Sequence, residues 1–150
     1  MEQILQPQIQ GRRVLLAVSG GIAAYKAVEL CRLLQQCGAE VRVMMTESGR
    51  RFVGELTFAA ISGFPVATDL FDPQQEGQIG HIALADQAEL LLFAPATANL
   101  IAKLSHGIAD DLVSTVYLAY RGPVVVCPAM NVKMWQHPAT RENVERLGHA

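Results

Sequence analysis

The chain is 150 residues long, the size of one ordinary domain and enough to bury a core without disulfides or a structural metal. Hydrophobic residues make up 51% and charged residues 17%, which excludes disorder and is richer in apolar side chains than a small monomer needs. With 12 basic and 14 acidic side chains the net charge is −2, and aromatics are 6%, so neither an electrostatic footprint for nucleic acid nor a base-stacking platform is present.

Residues 1–12 are polar with scattered apolar side chains and predict a loose N-terminal arm ahead of a single domain over 13–150. Val14 to Val18 is a continuous apolar run, the pattern of a strand covered on both faces. It follows Arg12-Arg13 as in a secretion signal, but it ends after five residues and a helix pattern begins at once. Ala23, Ala27, Leu30 and Leu34 form one helical face, which Gly38 closes. Val41 to Met45 is the second strand. Phe52, Val53, Leu56, Ala60 and Ile61 predict a second helix, with Phe52 at a core-facing step and Ser62-Gly63 as its end.

Residues 69–80 are rich in turn formers and poor in core candidates. Leu90 to Ala94 is the third strand, with Pro95 at the edge of a loop and a helix from Ala98 to Ser105. Asp110 is placed to cap a further helix through Tyr120. Val124 to Cys127 is the fourth strand, stopped by Pro128, so that PAMNVKMW reads as a loop. A last helix runs from Pro138 to Leu147. This alternation predicts an α/β fold, a doubly wound (Rossmann-like or flavodoxin-like) parallel sheet with helices on both faces. No apolar stretch approaches the ~20 residues of a membrane span. Cys31, Cys37 and Cys127 are odd in number and lack a CxxC pair, which predicts reduced thiols and a cytoplasmic protein.

Doubly wound sheets bind ligands beyond the carboxyl ends of their strands. Ser19-Gly20-Gly21 after the first strand offers either a phosphate cradle or a tight turn; it matches neither GxGxxG nor the P-loop. Thr46-Glu47-Ser48 after the second offers hydroxyls or a helix cap. Pro95-Ala96-Thr97-Ala98-Asn99 brings small side chains against which a flat ring can lie, and Pro128 to Trp135 sets Asn131 among methionines and the sole tryptophan. His81, His106, His137 and His149 have no metal-ligand spacing, and no metal site is expected. His81 stands apart because it follows the irregular stretch and precedes apolar residues.

SGGIAAYK, MTES, GHIALA, APATANLIAKLSHGIADDL and PAMNVKMW, in this order over residues 12–147, resemble the cysteine-decarboxylating flavoproteins that bind FMN. PAMNVKMW fits that family's PxMNxxMW signature at every fixed position; PATAN is a looser counterpart of its PASANT motif. The resemblance implies FMN held by Ser19, Gly20, Gly21, Thr46 and Ser48, with its phosphate on the Gly20-Gly21 turn. The flavin would then lie along Pro95, Ala96, Thr97 and Ala98 and against Ala129. His81 and Asn131 would be catalytic, Asn131 holding the substrate carboxylate, with Phe52 and Met130 beside the substrate. His81 could serve as a base or orient the carboxylate, and both roles stay open.

Within the family the resemblance is strongest to the branch acting on the small molecule 4′-phosphopantothenoylcysteine in coenzyme A biosynthesis. There the cysteinyl part is oxidised to a thioaldehyde, carbon dioxide leaves, and the electrons return to give 4′-phosphopantetheine. The resemblance also implies a homo-oligomer, a trimer or a dodecamer built from trimers, with FMN at the subunit interface. A phosphopantothenate-cysteine ligase domain would be a further partner. Family members continue past residue 150 with a strand and a flap whose cysteine protonates the last intermediate. The expectation is therefore a domain truncated at its C-terminus, able to oxidise and decarboxylate but not to complete the reduction. Two other readings share these motifs: a peptidyl-cysteine decarboxylase, and a non-catalytic flavin-binding or regulatory subunit. A prenyltransferase relative does not carry PAMNVKMW.

Overall fold

Apolar side chains at every position from Val14 to Val18 need cover on both faces, and β1 (Arg13–Val18) accordingly lies inside the sheet. The computed structural model describes residues 8–70 and 80–148. With β2 (Glu40–Met45), β3 (Leu90–Ala96) and β4 (Val124–Pro128), β1 forms an all-parallel sheet in the order β2-β1-β3-β4. The chain passes from β1 to β2 on one side and then to β3 on the other. Strand order therefore reverses between β1 and β3, and their carboxyl ends open a crevice.

Alternation along the strands divides two cores. Leu16 and Val18 with Val43, Leu92 and Ala94 lie under α1 (Ala24–Gln36) and α3 (Glu55–Ser62), which contribute Ala27, Cys31 and Phe58. Leu15 and Ala17 with Leu91 and Phe93 face α4 (His81–Gln87), α5 (Ala98–His106) and α6 (Leu112–Ala119) through Leu84, Leu104 and Val116. The doubly wound parallel architecture is as expected. α2 (Glu47–Phe52), α7 (Val132–Gln136) and α8 (Pro138–Gly148) complete the described elements. Gly38, at φ 88°, closes α1 as predicted.

Four local expectations are corrected. The single helix expected around residues 52–61 is two, because Val53 is extended and Gly54 begins α3 in the β region. The break resets the helical phase: Phe58 is buried, while Phe52 and Leu56 are exposed rather than core-facing. Asp111, not Asp110, caps α6; its carboxylate accepts the Ser114 N–H at 2.8 Å in a capping box. β3 continues past Ala94 to Ala96, and since Pro95 has no N–H its pairing with β4 shifts register between Phe93 and Ala96. PAMNVKMW is not all loop, because Asn131 starts α7, its Oδ1 accepting the Lys133 N–H at 2.8 Å.

Residues 8–12 are tied to the domain by the Gly11 N–H on the Gly38 carbonyl and by an Arg12–Glu89 ion pair at 2.9 Å.

Candidate functional site

All four strands deliver their following segments to one cavity of about 1350 Å³. Ser19 to Ala23 enter after β1, Thr46 to Ser48 after β2, Thr97 to Leu100 after β3 and Ala129 to Asn131 after β4. Pockets for single small ligands are about 300–1,000 Å³. This cavity has room for two.

Helix N-termini converge on it, and their caps decide which polar groups remain available. Thr46 Oγ1 accepts the Gly49 N–H at 3.0 Å and Thr97 Oγ1 accepts the Leu100 N–H at 3.1 Å, capping α2 and α5. Each hydroxyl thus has its oxygen engaged and its proton left to donate. Asn131 repeats the logic: its Oδ1 caps α7, so its Nδ2 carries the donors that remain. α1 has no side-chain cap, since Ala23 occupies the position. Its 13 residues align a dipole whose positive end faces the cavity, although the Ala24 and Lys26 N–H groups already donate to the Gly21 and Ala23 carbonyls.

The two glycines of the β1 turn do different work. A Cβ on Gly20 would stand 2.3 Å from Ser48 Cβ, so Gly20 lets the turn after β1 press on the start of α2. A Cβ on Gly21 would meet only Thr97 Cγ2, at 3.8 Å. Space rather than packing surrounds Gly21, and an anion can approach its backbone there.

Cations in the cavity wall are already paired. Lys103 Nζ lies 2.9 Å from Asp110 and Arg50 Nε lies 3.7 Å from Glu55. The Lys103 hydrogen bond holds the Asp110 carboxyl below the ordinary carboxylate range. An anion in this cavity therefore depends on backbone N–H groups and hydroxyls more than on side-chain charge.

Of the residues predicted from sequence, Ser19, Gly20, Gly21, Thr46, Ser48, Thr97, Ala98, Ala129, Met130 and Asn131 line this cavity together. Pro95 and Ala96 are buried in β3 behind its wall. Phe52 is 55% exposed at the end of α2, outside the lining. His81 opens α4, partly exposed and also outside the lining; residues 71–79 of the irregular stretch lie outside the described residues. Sequence reasoning missed Lys103 and its partner Asp110. The signal was there: Lys103 is four residues beyond Asn99, one turn along the same face of α5.

A family model described as Flavoprotein matches residues 3–150. The chain belongs to the flavoprotein family. The coenzyme A biosynthesis bifunctional protein CoaBC of Bacillus subtilis (strain 168) is 53% identical over 139 residues, 93% of this chain and 34% of that protein. This flavoprotein thus spans about one third of the length of the curated relatives it matches. Among solved structures it is similar to the FMN-dependent cysteine decarboxylase SpaF, with TM-score 0.84 and 35% identity over 92% of this chain and 79% of that one. A PPC decarboxylase mutant complexed with pantothenoylaminoethenethiol superposes with TM-score 0.77 and 32% identity, covering 93% of this chain and 79% of that one. Among the described residues of this flavoprotein no helix is long and apolar enough to cross a membrane, and no cluster of three metal-ligating side chains occurs.

Proposed function

We propose that this flavoprotein binds FMN and decarboxylates 4′-phosphopantothenoylcysteine to 4′-phosphopantetheine in coenzyme A biosynthesis. The CoaBC relative and the PPC decarboxylase structure support this substrate class. The residues present fit the cofactor. The uncapped α1 N-terminus and the open backbone at Gly21 suit its phosphate, with the Thr46 and Ser48 hydroxyls close by. Thr97, Ala98 and Ala129 offer a wall of small side chains for its ring, backed by Pro95 and Ala96. When bound, FMN supplies the two-electron acceptor that no side chain provides, which oxidation of carbon beside sulfur to a thioaldehyde requires.

The Asn131 amide carries the reading. Its Oδ1 is committed to the α7 cap, so the Nδ2 donors are what it presents to a ligand. Such a donor orients the substrate carboxylate without a full positive charge to stabilise it, leaving it free to depart as neutral carbon dioxide. Once the neighbouring carbon is a thiocarbonyl, the electron pair of the breaking C–C bond moves onto sulfur, giving an enethiolate that a proton converts to the enethiol; return of the two electrons with a further proton would give 4′-phosphopantetheine. Met130 lies beside Asn131 and helps enclose the reacting end away from water.

His81 and Phe52 stand outside the cavity of their own chain, while Ile22, Tyr25, Leu56 and Trp135 are exposed. This arrangement supports a homo-oligomer, a trimer or a dodecamer of trimers, in which neighbours bring such residues to one another's cavities. His81 then moves a proton or faces the carboxylate. A ligase domain accompanies the function in the same pathway, and the free thiols of Cys31, Cys37 and Cys127 fit a cytoplasmic setting.

Asn131→Asp tests the proposal. Aspartate still caps α7, so the fold and FMN content stay, but its charge repels the substrate carboxylate and it donates nothing. Carbon dioxide release in a single turnover is expected to fall by about a hundredfold or more. Undiminished release removes Asn131 from the mechanism. Offering a peptide with a C-terminal cysteine beside the small substrate separates the peptidyl-cysteine reading, and release from neither supports a non-catalytic flavin-binding subunit.

A further inference from the structure

In a parallel ladder running on in the register of the pairs Val14–Leu90 to Ala17–Phe93, Ser19 would stand opposite Pro95, its N–H toward the Ala94 carbonyl and its carbonyl toward the Ala96 N–H. The pairing slips by one residue: the Ser19 N–H donates to the Pro95 carbonyl, at 3.3 Å. The Thr97 N–H instead donates to Ser19 Oγ at 3.1 Å, and that hydroxyl donates onward to the Pro95 carbonyl at 2.5 Å. In this slipped pairing a side chain has taken the place of the Ser19 carbonyl as acceptor for Thr97. The chain after Ser19 is thereby free to leave the sheet, and it does so in the turn that leads to α1. Ser19 is 2% exposed, so water does not readily compete for these bonds.

We propose that Ser19 is a positioning residue. Its hydroxyl, inserted between Pro95 and Thr97, holds the crevice between β1 and β3 at the width the cofactor needs. It does so by fixing the Thr97–Ala98 wall relative to the α1 N-terminus. The inference rests on the FMN reading and changes the role of Ser19 within it. Both bonding directions of its hydroxyl are spent on the protein, so it acts through Thr97 instead of contacting phosphate. Thr97 is the right residue to transmit this. Its N–H is held by Ser19 while its own Oγ1 caps α5, so one serine fixes where α5 begins and where the Thr97 hydroxyl proton can point. Removing the Ser19 oxygen leaves the part-buried Thr97 N–H without an acceptor, and the local remedy is closure of the ladder onto the Ser19 carbonyl. Closure narrows the crevice.

The test uses Ser19→Ala on the FMN-loaded chain, reading FMN dissociation on dilution and the visible flavin bands. We expect FMN affinity to fall about tenfold and the bands to shift, at a temperature where the variant is folded. Lower thermal stability with wild-type affinity and an unshifted spectrum would mean a purely structural serine and overturn the proposal. Should Ser19→Ala not fold, Ser19→Cys decides: its thiol fills the space but donates and accepts weakly, so wild-type affinity there also overturns it. Amide exchange at Thr97 in the unsubstituted chain is an independent check. Protection is expected, and exchange as fast as at an open loop contradicts the clamp. Failure of the unsubstituted chain to take up FMN, with Thr97 still protected, would instead strike the cofactor reading alone.

Discussion

β1 and β4 are both short, valine-rich and parallel, yet they meet opposite surroundings. From Val14 to Val18 every side chain of β1 is buried, whereas in β4 Val124 and Val125 remain 38% and 44% exposed and only Val126 packs into a core. β1 has a paired strand on each side, and β4 is paired only with β3 in the described sheet. α1 and α3 cover the β1 face, but Val125 and Cys127 are not covered by them. Apolar content therefore states that a strand exists. It does not state what covers it.

The contrast is broken most forcefully by truncation in each region. Phe93→Ala, in the doubly covered interior next to β1, should cost about 3–5 kcal/mol in denaturant unfolding. Val125→Ala in β4 should stay within about 0.5 kcal/mol. Equal losses at the two sites would show that β4 is covered after all, by another copy of the chain in solution.

Next in size is the pair of glycines where β1 ends. Gly20→Ala should destabilise by about 1–3 kcal/mol, because its methyl overlaps Ser48. Gly21→Ala should melt like the parent chain while losing FMN affinity. A stable Gly20→Ala would mean that the start of α2 yields easily. A Gly21→Ala chain with full affinity would remove the phosphate from that turn.

The caps of α6 sharpen a smaller distinction. Asp111→Ala should cost about 1 kcal/mol, the usual loss for an N-cap. Asp110→Asn, breaking an exposed pair with Lys103, should cost less. Acid gives the weakest effect. Arg12 holds the Glu89 carboxyl low, as Lys103 holds Asp110. Carboxylates lowered in the folded state stabilise it fully above their unfolded values near pH 4, and that contribution goes as pH falls through the lowered values. Melting temperatures should therefore be flat from neutrality to about pH 5 and fall below it, the fall being smaller in Glu89→Gln.

The legible parts of the molecule were those written in periodicity. Unbroken apolar runs marked β1 and β3, and small or polar residues just past each strand marked four walls of the cavity. Misreadings arose where one residue altered the phase. Gly54 split a helix and turned Phe52 outward, and of two adjacent carboxylates the sequence pointed to Asp110 where Asp111 is the cap. The Ser19 clamp could not be read at all, because it joins residues 78 apart and depends on a hydroxyl replacing a carbonyl. The Asn131 cap hid for another reason: a five-residue helix is too short to show a period.

The central claim is that this cavity holds FMN and releases carbon dioxide from a cysteinyl substrate. Its most direct test is to load the purified chain with FMN, add 4′-phosphopantothenoylcysteine without oxygen, and follow the flavin absorbance and carbon dioxide together. The account predicts bleaching of the flavin band with release of at least one carbon dioxide per bound flavin. A chain that retains no FMN, or one whose flavin stays oxidised with no gas evolved, would contradict it.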